Sequence, residues 1–347
     1  MNLELVFSRV LRVLLIVVAF DLGGYAISAS ASDKNISVSI AEIETAYEKF
    51  ELRKVISLAN EAISGSQDNN SIYLYLAKAY FELGEYNDAR QAVNGALKVN
   101  PNLAETLRVS GDVYCELAME ASLFKALRLA KKCVKSYEAS FDKNDTDVGV
   151  IRRLVEYHLA APSIAGGSDT RGEQLLEHLA GISKESADTL TSKMLAAKGD
   201  AEQALLLANQ LSKDGFQSAI NQYMIALVYR HAEQNEPARR LFSSLTEMEK
   251  SIENRWYVND ARLQLGELIL IDGNEPDEAL FQLKKYKSVN SNQNDKHYFW
   301  SSLSLAKAYK AVGDIEQYLA TIALIKSEDY KRDSAFTDVF KKEIVKD

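Results

Sequence analysis

Apolar residues recur along this chain at helical spacing, most clearly between Asn70 and Leu103. Tyr73, Leu76, Ala77 and Tyr80 fall at i, i+3, i+4 and i+7, which places them on one stripe of a helix. Gly84 lets the chain leave that helix. Ala89, Val93, Ala96 and Leu97 then form the stripe of a second helix, with Asn87 or Asp88 as its expected N-cap and Pro101 as its stop. Ala77 and Ala89 are small where two antiparallel helices must approach closely.

The register extends in both directions. Ala46, Phe50, Val55, Ala59, Ala62 and Ile63 mark an earlier pair near residues 36–69. Leu107, Gly111 and Tyr114 open a third, whose long second helix runs through Ala126, Ala130 and Ala139. Helices near 146–160 and 170–181 flank an irregular segment, Ala161 to Ser168. Later pairs carry Leu195, Gly199, Ala204 and Ala208, then Ile225, Ala226, Tyr229, Ala238 and Phe242. Two more follow, with Leu265, Gly266, Gly273 and Ala279, and with Leu305, Ala306, Tyr309 and Gly313. The tail from Ser334 to Lys346 puts Phe336, Val339, Phe340 and Ile344 on one face, as a capping helix would.

The order aromatic, Leu-small, Tyr, Gly, Ala, Ala, Pro in Tyr73, Leu76-Ala77, Tyr80, Gly84, Ala89, Ala96 and Pro101 resembles a tetratricopeptide repeat. The resemblance implies an all-α, right-handed superhelical solenoid of about eight antiparallel helix pairs with a C-terminal capping helix. It spans 32–347, with sub-blocks 36–183 and 184–347 and a bend near Gly181 to Glu185 or Ser288 to Lys296. In such repeats the first helix of each pair lines the concave face. The residues this implies are Leu74, Lys78 and Phe81; Arg108, Asp112 and Glu116; Tyr223, Leu227 and Arg230; and Trp300, Leu303 and Lys307. Mixed aromatic, aliphatic and charged positions suit a protein or peptide partner. The family's basic clamp for a C-terminal carboxylate is not matched, so chaperone-tail binding is not implied.

Composition narrows the picture. Sixteen Gly and four Pro in 347 residues are too few for the turns of an all-β or dinucleotide-binding fold. A net charge of −8 argues against generic nucleic-acid binding, which needs a basic surface. At the N-terminus Arg9 and Arg12 precede the apolar run Val13 to Phe20, and Ala29-Ser30-Ala31 has the small-x-small form of a cleavage site. Residues 1–31 therefore read as a signal peptide, with a mature chain starting near Ser32 in the periplasm or outside the cell. The run is too short to span a bilayer, so no stable membrane insertion is expected after cleavage.

Candidate chemistry is sparse. His158, His178, His231 and His297 have no metal-ligand spacing, and no nucleophile elbow, phosphate loop or zinc-protease motif occurs. No cofactor, metal or catalytic group is expected. Cys115 and Cys133 sit on antiparallel helices with a turn near 119–123, giving an axial offset of about six residues, or roughly 9 Å. That exceeds the roughly 7 Å limit for a disulfide, so two unbridged thiols are expected. Gly166, Gly167 and Ser168 either form a backbone nest for an anion or simply connect two helices, with a side-chain cap on the second. The Ala161-Pro162-x-x-Ala165-Gly166-Gly167 element is similar to one in exported bacterial repeat proteins and in accessory components of periplasmic solute transporters. The expected function is a non-catalytic envelope scaffold for a protein or peptide. The alternative is a small-ligand accessory protein of a transport system.

Overall fold

The computed structural model describes residues 34–65, 67–289 and 297–344. The expected signal at 1–31, the start near Ser32, and residues 290–296 of one expected bend lie outside the described residues. Among the described residues the chain is all-α, with seventeen α-helices, two short 3₁₀ turns and no strand.

The helices follow one another as eight pairs and a cap. The first four pairs are α1 (Lys34–Glu48) with α2 (Leu52–Ser64), α3 (Asn70–Glu82) with α4 (Tyr86–Val99), α5 (Ala104–Met119) with α6 (Leu123–Phe141), and α7 (Val148–Ala160) with α8 (Asp169–Ile182). Next come α9 (Lys184–Ala197) with α10 (Ala201–Asp214), α11 (Ala219–His231) with α12 (Asn235–Glu247), and α13 (Arg255–Asp272) with α14 (Pro276–Val289). The last are α15 (Tyr298–Ala311) with α16 (Ile315–Ser327), followed by α17 (Ser334–Ile344). This is the expected solenoid architecture of serial helix pairs. The chain divides into two units between Leu207 and Ala208, inside α10. α9 packs on α8 across 183–184.

Turn chemistry sets the pairs. Gly84, Gly199, Gly273 and Gly313 all have positive φ at the turn between paired helices. Phe50 and Glu233 hold the same backbone conformation in two other pairs. At Gly84 the chain reverses at once: Glu85 N donates to Tyr80 O at 2.8 Å, and α4 begins at Tyr86. The helix thus starts before Asn87 and Asp88, and neither caps it; the N-cap is Glu85, without a side-chain cap bond.

In the first unit α5 and α6 show what governs the approach of two helices. A Cβ on Gly111 would lie 2.3 Å from the Tyr137 ring, and that ring cannot swing away because its hydroxyl donates to Asp112 Oδ1 at 2.7 Å. Cys115 and Cys133, with Cα atoms 5.2 Å apart, form a disulfide. This corrects the expectation of separate thiols. Gly111 facing Tyr137 and Cys115 facing Cys133 both centre the hairpin on residue 124, not 121. The exposed first turn of α6, Leu123 to Lys125, belongs to the crossing between the helices. Moving the centre by three residues removes the whole six-residue offset, because each residue of shift counts on both strands of the hairpin.

The second unit ends in an apolar cluster. Phe299, Leu303, Ile322 and Ile325 meet Phe336 and Phe340 of α17, with Val339 and Ile344 partly buried beside them. The tail is therefore the expected capping helix, held by two fully buried phenylalanines worth about 2 kcal/mol each.

Replacing Gly111 by Ala is expected to cost about 1–3 kcal/mol, since the anchored Tyr137 must move or the helices must part. Chemical denaturation should show a lower midpoint with an unchanged slope; an unaltered midpoint would contradict the contact.

Candidate functional site

The first helices α3, α5, α7 and α9 of the first unit carry a chain of polar contacts from each helix to the next. It begins where Tyr75 Oη on α3 donates to Glu44 Oε1 on α1 at 3.1 Å. Lys78 Nζ donates to Glu105 on α5 at 2.5 Å. Arg153 Nε on α7 donates to Asp112 Oδ1 on α5 at 2.8 Å. Lys193 Nζ on α9 donates to Glu156 on α7 at 2.6 Å. Of the expected concave-face residues, Leu74, Lys78, Phe81, Arg108, Asp112 and Glu116 are all buried. Asp112 is fully enclosed, shared among Tyr137, Arg108 and Arg153. Burial raises the Glu105 carboxyl, but Lys78 and Arg108 outweigh it and hold its pKa below the usual carboxylate value.

The second unit repeats the device. Tyr223 on α11 donates to Asp260 on α13. Arg230 donates to Gln264 and, at 2.8 Å, to Glu267 Oε2. Glu267 Oε1 in turn accepts from Ser304 Oγ on α15 at 2.8 Å. Arg230 and Glu267 are each about a quarter exposed, and Leu227 is half-buried. Tyr223 and Leu303 are buried. Trp300 and Lys307 are engaged by the cap: Trp300 Nε1 donates to Asp333 Oδ2 at 3.0 Å, and Lys307 pairs with Glu343 at 2.6 Å.

Sequence reasoning missed the partners Glu105, Arg153, Glu156, Lys193, Asp260, Gln264, Glu267 and Ser304. A signal for them exists. Four of the contacts, Glu156 with Lys193, Tyr223 with Asp260, Arg230 with Glu267, and Glu267 with Ser304, join residues 37 apart. Complementary polar residues one repeat apart therefore mark adjacent first helices.

The Gly166 loop is built for connection. Gly166 N donates to Ser163 O, Gly167 N to Pro162 O and Ser168 N to His158 O. The three N–H groups of the supposed nest are thus spent inside the segment. A Cβ on Gly167 would fall 1.8 Å from Ala161 O, which explains the glycine. Ser168 Oγ caps α8 by accepting from Arg171 N. Beside the loop, Glu138 on α6 accepts from His158 Nε2 at 3.0 Å and from Arg171 at 3.0 and 2.7 Å. Among the described residues no group of three or more His, Cys, Asp or Glu is arranged to hold a metal. No helix among them is long and apolar enough to cross a membrane.

Residues 46–108 match the tetratricopeptide repeat family model. No curated protein matches the chain. Among solved structures, a tetratricopeptide repeat protein from Parabacteroides merdae is similar over 78% of this chain and 98% of its own, at 15% identity and a TM-score of 0.49. A chain of the APC/C hetero-tetramer Cut9-Hcn1 is similar over 79% of this chain and 49% of its own, at 12% identity and a TM-score of 0.43.

Two carboxylates predict opposite responses to pH. Burial pushes Glu138 up, but bonds from His158 and Arg171 outweigh it and bring its pKa to about 2, from 4.5. Its contribution is complete above pH 4.5 and disappears as pH falls towards 2. Glu138→Gln should therefore lower stability at neutral pH and flatten the acid limb. Burial raises Asp260 above 3.8, and the nearby His297 and the bonds from Tyr223 and Gln264 only partly offset it. Its folded form is favoured below 3.8 and loses stability as pH rises through the raised value. Asp260→Asn should gain stability at pH 7 relative to acid conditions. Denaturation midpoints measured from acid to neutral pH test both, and parallel curves for the two variants would refute the assignments.

Proposed function

We propose that the chain is an exported, non-catalytic scaffold that takes a protein or peptide partner on the face lined by its first helices. The observation that carries this reading is the strip formed by Arg230, Glu267 and Ser304 on α11, α13 and α15. Its side chains are fixed across three successive pairs, yet Arg230 and Glu267 remain partly exposed. A peptide meeting this strip finds donors and acceptors already ordered, so binding costs little further side-chain entropy. Leu227 beside it offers an apolar contact. The match of residues 46–108 to tetratricopeptide repeats supports the same reading, since scaffolds of that kind are typical of protein–protein interaction.

Export is supported by the pattern Arg9, Arg12, Val13 to Phe20 and Ala29-Ser30-Ala31. The Cys115–Cys133 disulfide adds a second argument, because such bonds persist in oxidising compartments such as the periplasm. The likeness of the Ala161 to Gly167 loop to exported bacterial repeat proteins points the same way. A transport accessory binding a small ligand at this loop would need donors there, and its backbone N–H groups are already satisfied.

A photo-crosslinking residue at Leu227 should capture a discrete protein in cells, whereas the same residue at Arg240, exposed on the outer side of α12, should not. Adducts at Arg240 alone would overturn the placement of the binding face. Alkylation of freshly lysed cells followed by mass spectrometry should find Cys115 and Cys133 protected; labelled thiols in the cellular protein would sink the export reading.

A further inference from the structure

α16 differs from the other second helices of its unit in what it turns outward. Its inner side packs Ile322 and Ile325, with Tyr318 beside them, into the terminal apolar cluster. Placing Tyr318, Ile322 and Ile325 over Ala238, Phe242 and Leu245 of α12, and over Ala279, Leu283 and Tyr286 of α14, brings the outer positions into register as well. Four of those outer positions hold Arg239, Arg240, Ser243 and Ser244 on α12, and Leu280, Phe281, Lys284 and Lys285 on α14. On α16 they hold Leu319, Ala320, Ala323 and Leu324, all exposed, with Leu319 at 58% and Leu324 at 48%. Ile315, also exposed, extends the patch by a turn. The repeat architecture does not require a wholly apolar surface here, since the same positions carry two arginines and two serines on α12 and two lysines beside Leu280 and the exposed Phe281 on α14.

The spacing of the patch suits a second copy of itself. Leu319-Ala320-Thr321-Ile322-Ala323-Leu324 reads large, small, small, large at its outward positions from either end. A two-fold axis between Thr321 and Ile322 would set Leu319 of one copy against Leu324 of the other, and Ala320 against Ala323. The alanines let the helix axes close, and the leucines seal both sides of the crossing. The same operation brings the exposed Glu316, near the start of one helix, beside the exposed Lys326 near the end of the other. The border of the patch mixes Asp314, Glu316, Glu328 and Asp329 with Lys326 and Lys331, which is not the basic rim that an anionic lipid surface selects.

We propose that α16 is a homotypic docking surface, through which two copies of the chain associate by antiparallel, two-fold pairing. One helix per protomer is a small interface, so the association is concentration-dependent.

Sedimentation equilibrium of the full chain, from micromolar to submillimolar concentration, should show a monomer–dimer equilibrium. Leu319→Glu or Leu324→Lys alone should weaken it at least about 10-fold, as for an apolar anchor lost from an interface. Melting should be unchanged, since both positions are exposed. The double variant L319E/L324K should recover dimerisation, because each new carboxylate faces a new ammonium across the axis. A wild-type chain that stays monomeric throughout, single variants that dimerise normally, or a double variant that remains monomeric would each overturn the proposal. So would a monomeric wild type that pellets with phosphatidylglycerol vesicles in a Leu319-dependent way.

Discussion

The close approach of the two helices within a pair is the constraint on which the rest of this molecule depends. Where Gly111 lies beneath the Tyr137 ring, no side chain larger than hydrogen fits without a shift. That one contact fixes the axial register of α5 against α6. It thereby brings Cys115 opposite Cys133 and the Tyr137 hydroxyl onto Asp112. Asp112, placed in this way, receives Arg153 from the next pair. In the second unit Gly266 approaches Leu283 in the same manner. Interiors are close-packed, so such a register is selected as a discrete state and not as a gradual adjustment.

From that register follows the inner-face arrangement. Successive first helices are tied by ion pairs and hydrogen bonds such as Lys193 to Glu156 and Arg230 to Glu267. Pairs as enclosed as Arg153 with Asp112 lose most of their Coulombic gain to desolvation. Their larger effect is on specificity: a slip of one repeat against another would strand an unpaired charge, which costs far more than the pair contributes. In both units the device is partly open to solvent: Glu105 in the first keeps about a third of its side chain exposed, and Arg230 and Glu267 in the second about a quarter.

Much of this was legible in the residues. Tyr73, Leu76, Ala77 and Tyr80 announce α3, Gly84 its exit, and Phe336 and Phe340 the cap, because each signal is local and repeats at helical spacing. The first-helix positions that the repeat resemblance implies were identifiable too. Their partners were not, because Glu267 and Ser304 become neighbours of Arg230 only through the stacking of whole pairs. Whether the Gly166–Gly167 segment is an anion nest or a plain connection was left open by the residues for a similar reason. A sequence shows where N–H groups can converge, but not that Ser163, Pro162 and His158 carbonyls already accept them.

By itself the sequence determined that this chain is helical, that its helices come in pairs and which stripe of each helix is apolar. These properties depend on neighbours within about four residues, where propensity and periodicity act. Only the tertiary structure decided that Cys115 meets Cys133, that Lys78 and Asp112 are enclosed while Arg230 is not, and that α16 turns leucine and alanine outward. Those outcomes hang on axial offsets between helices. A displacement of three residues at one turn, invisible in the periodicity, separates two thiols or joins them.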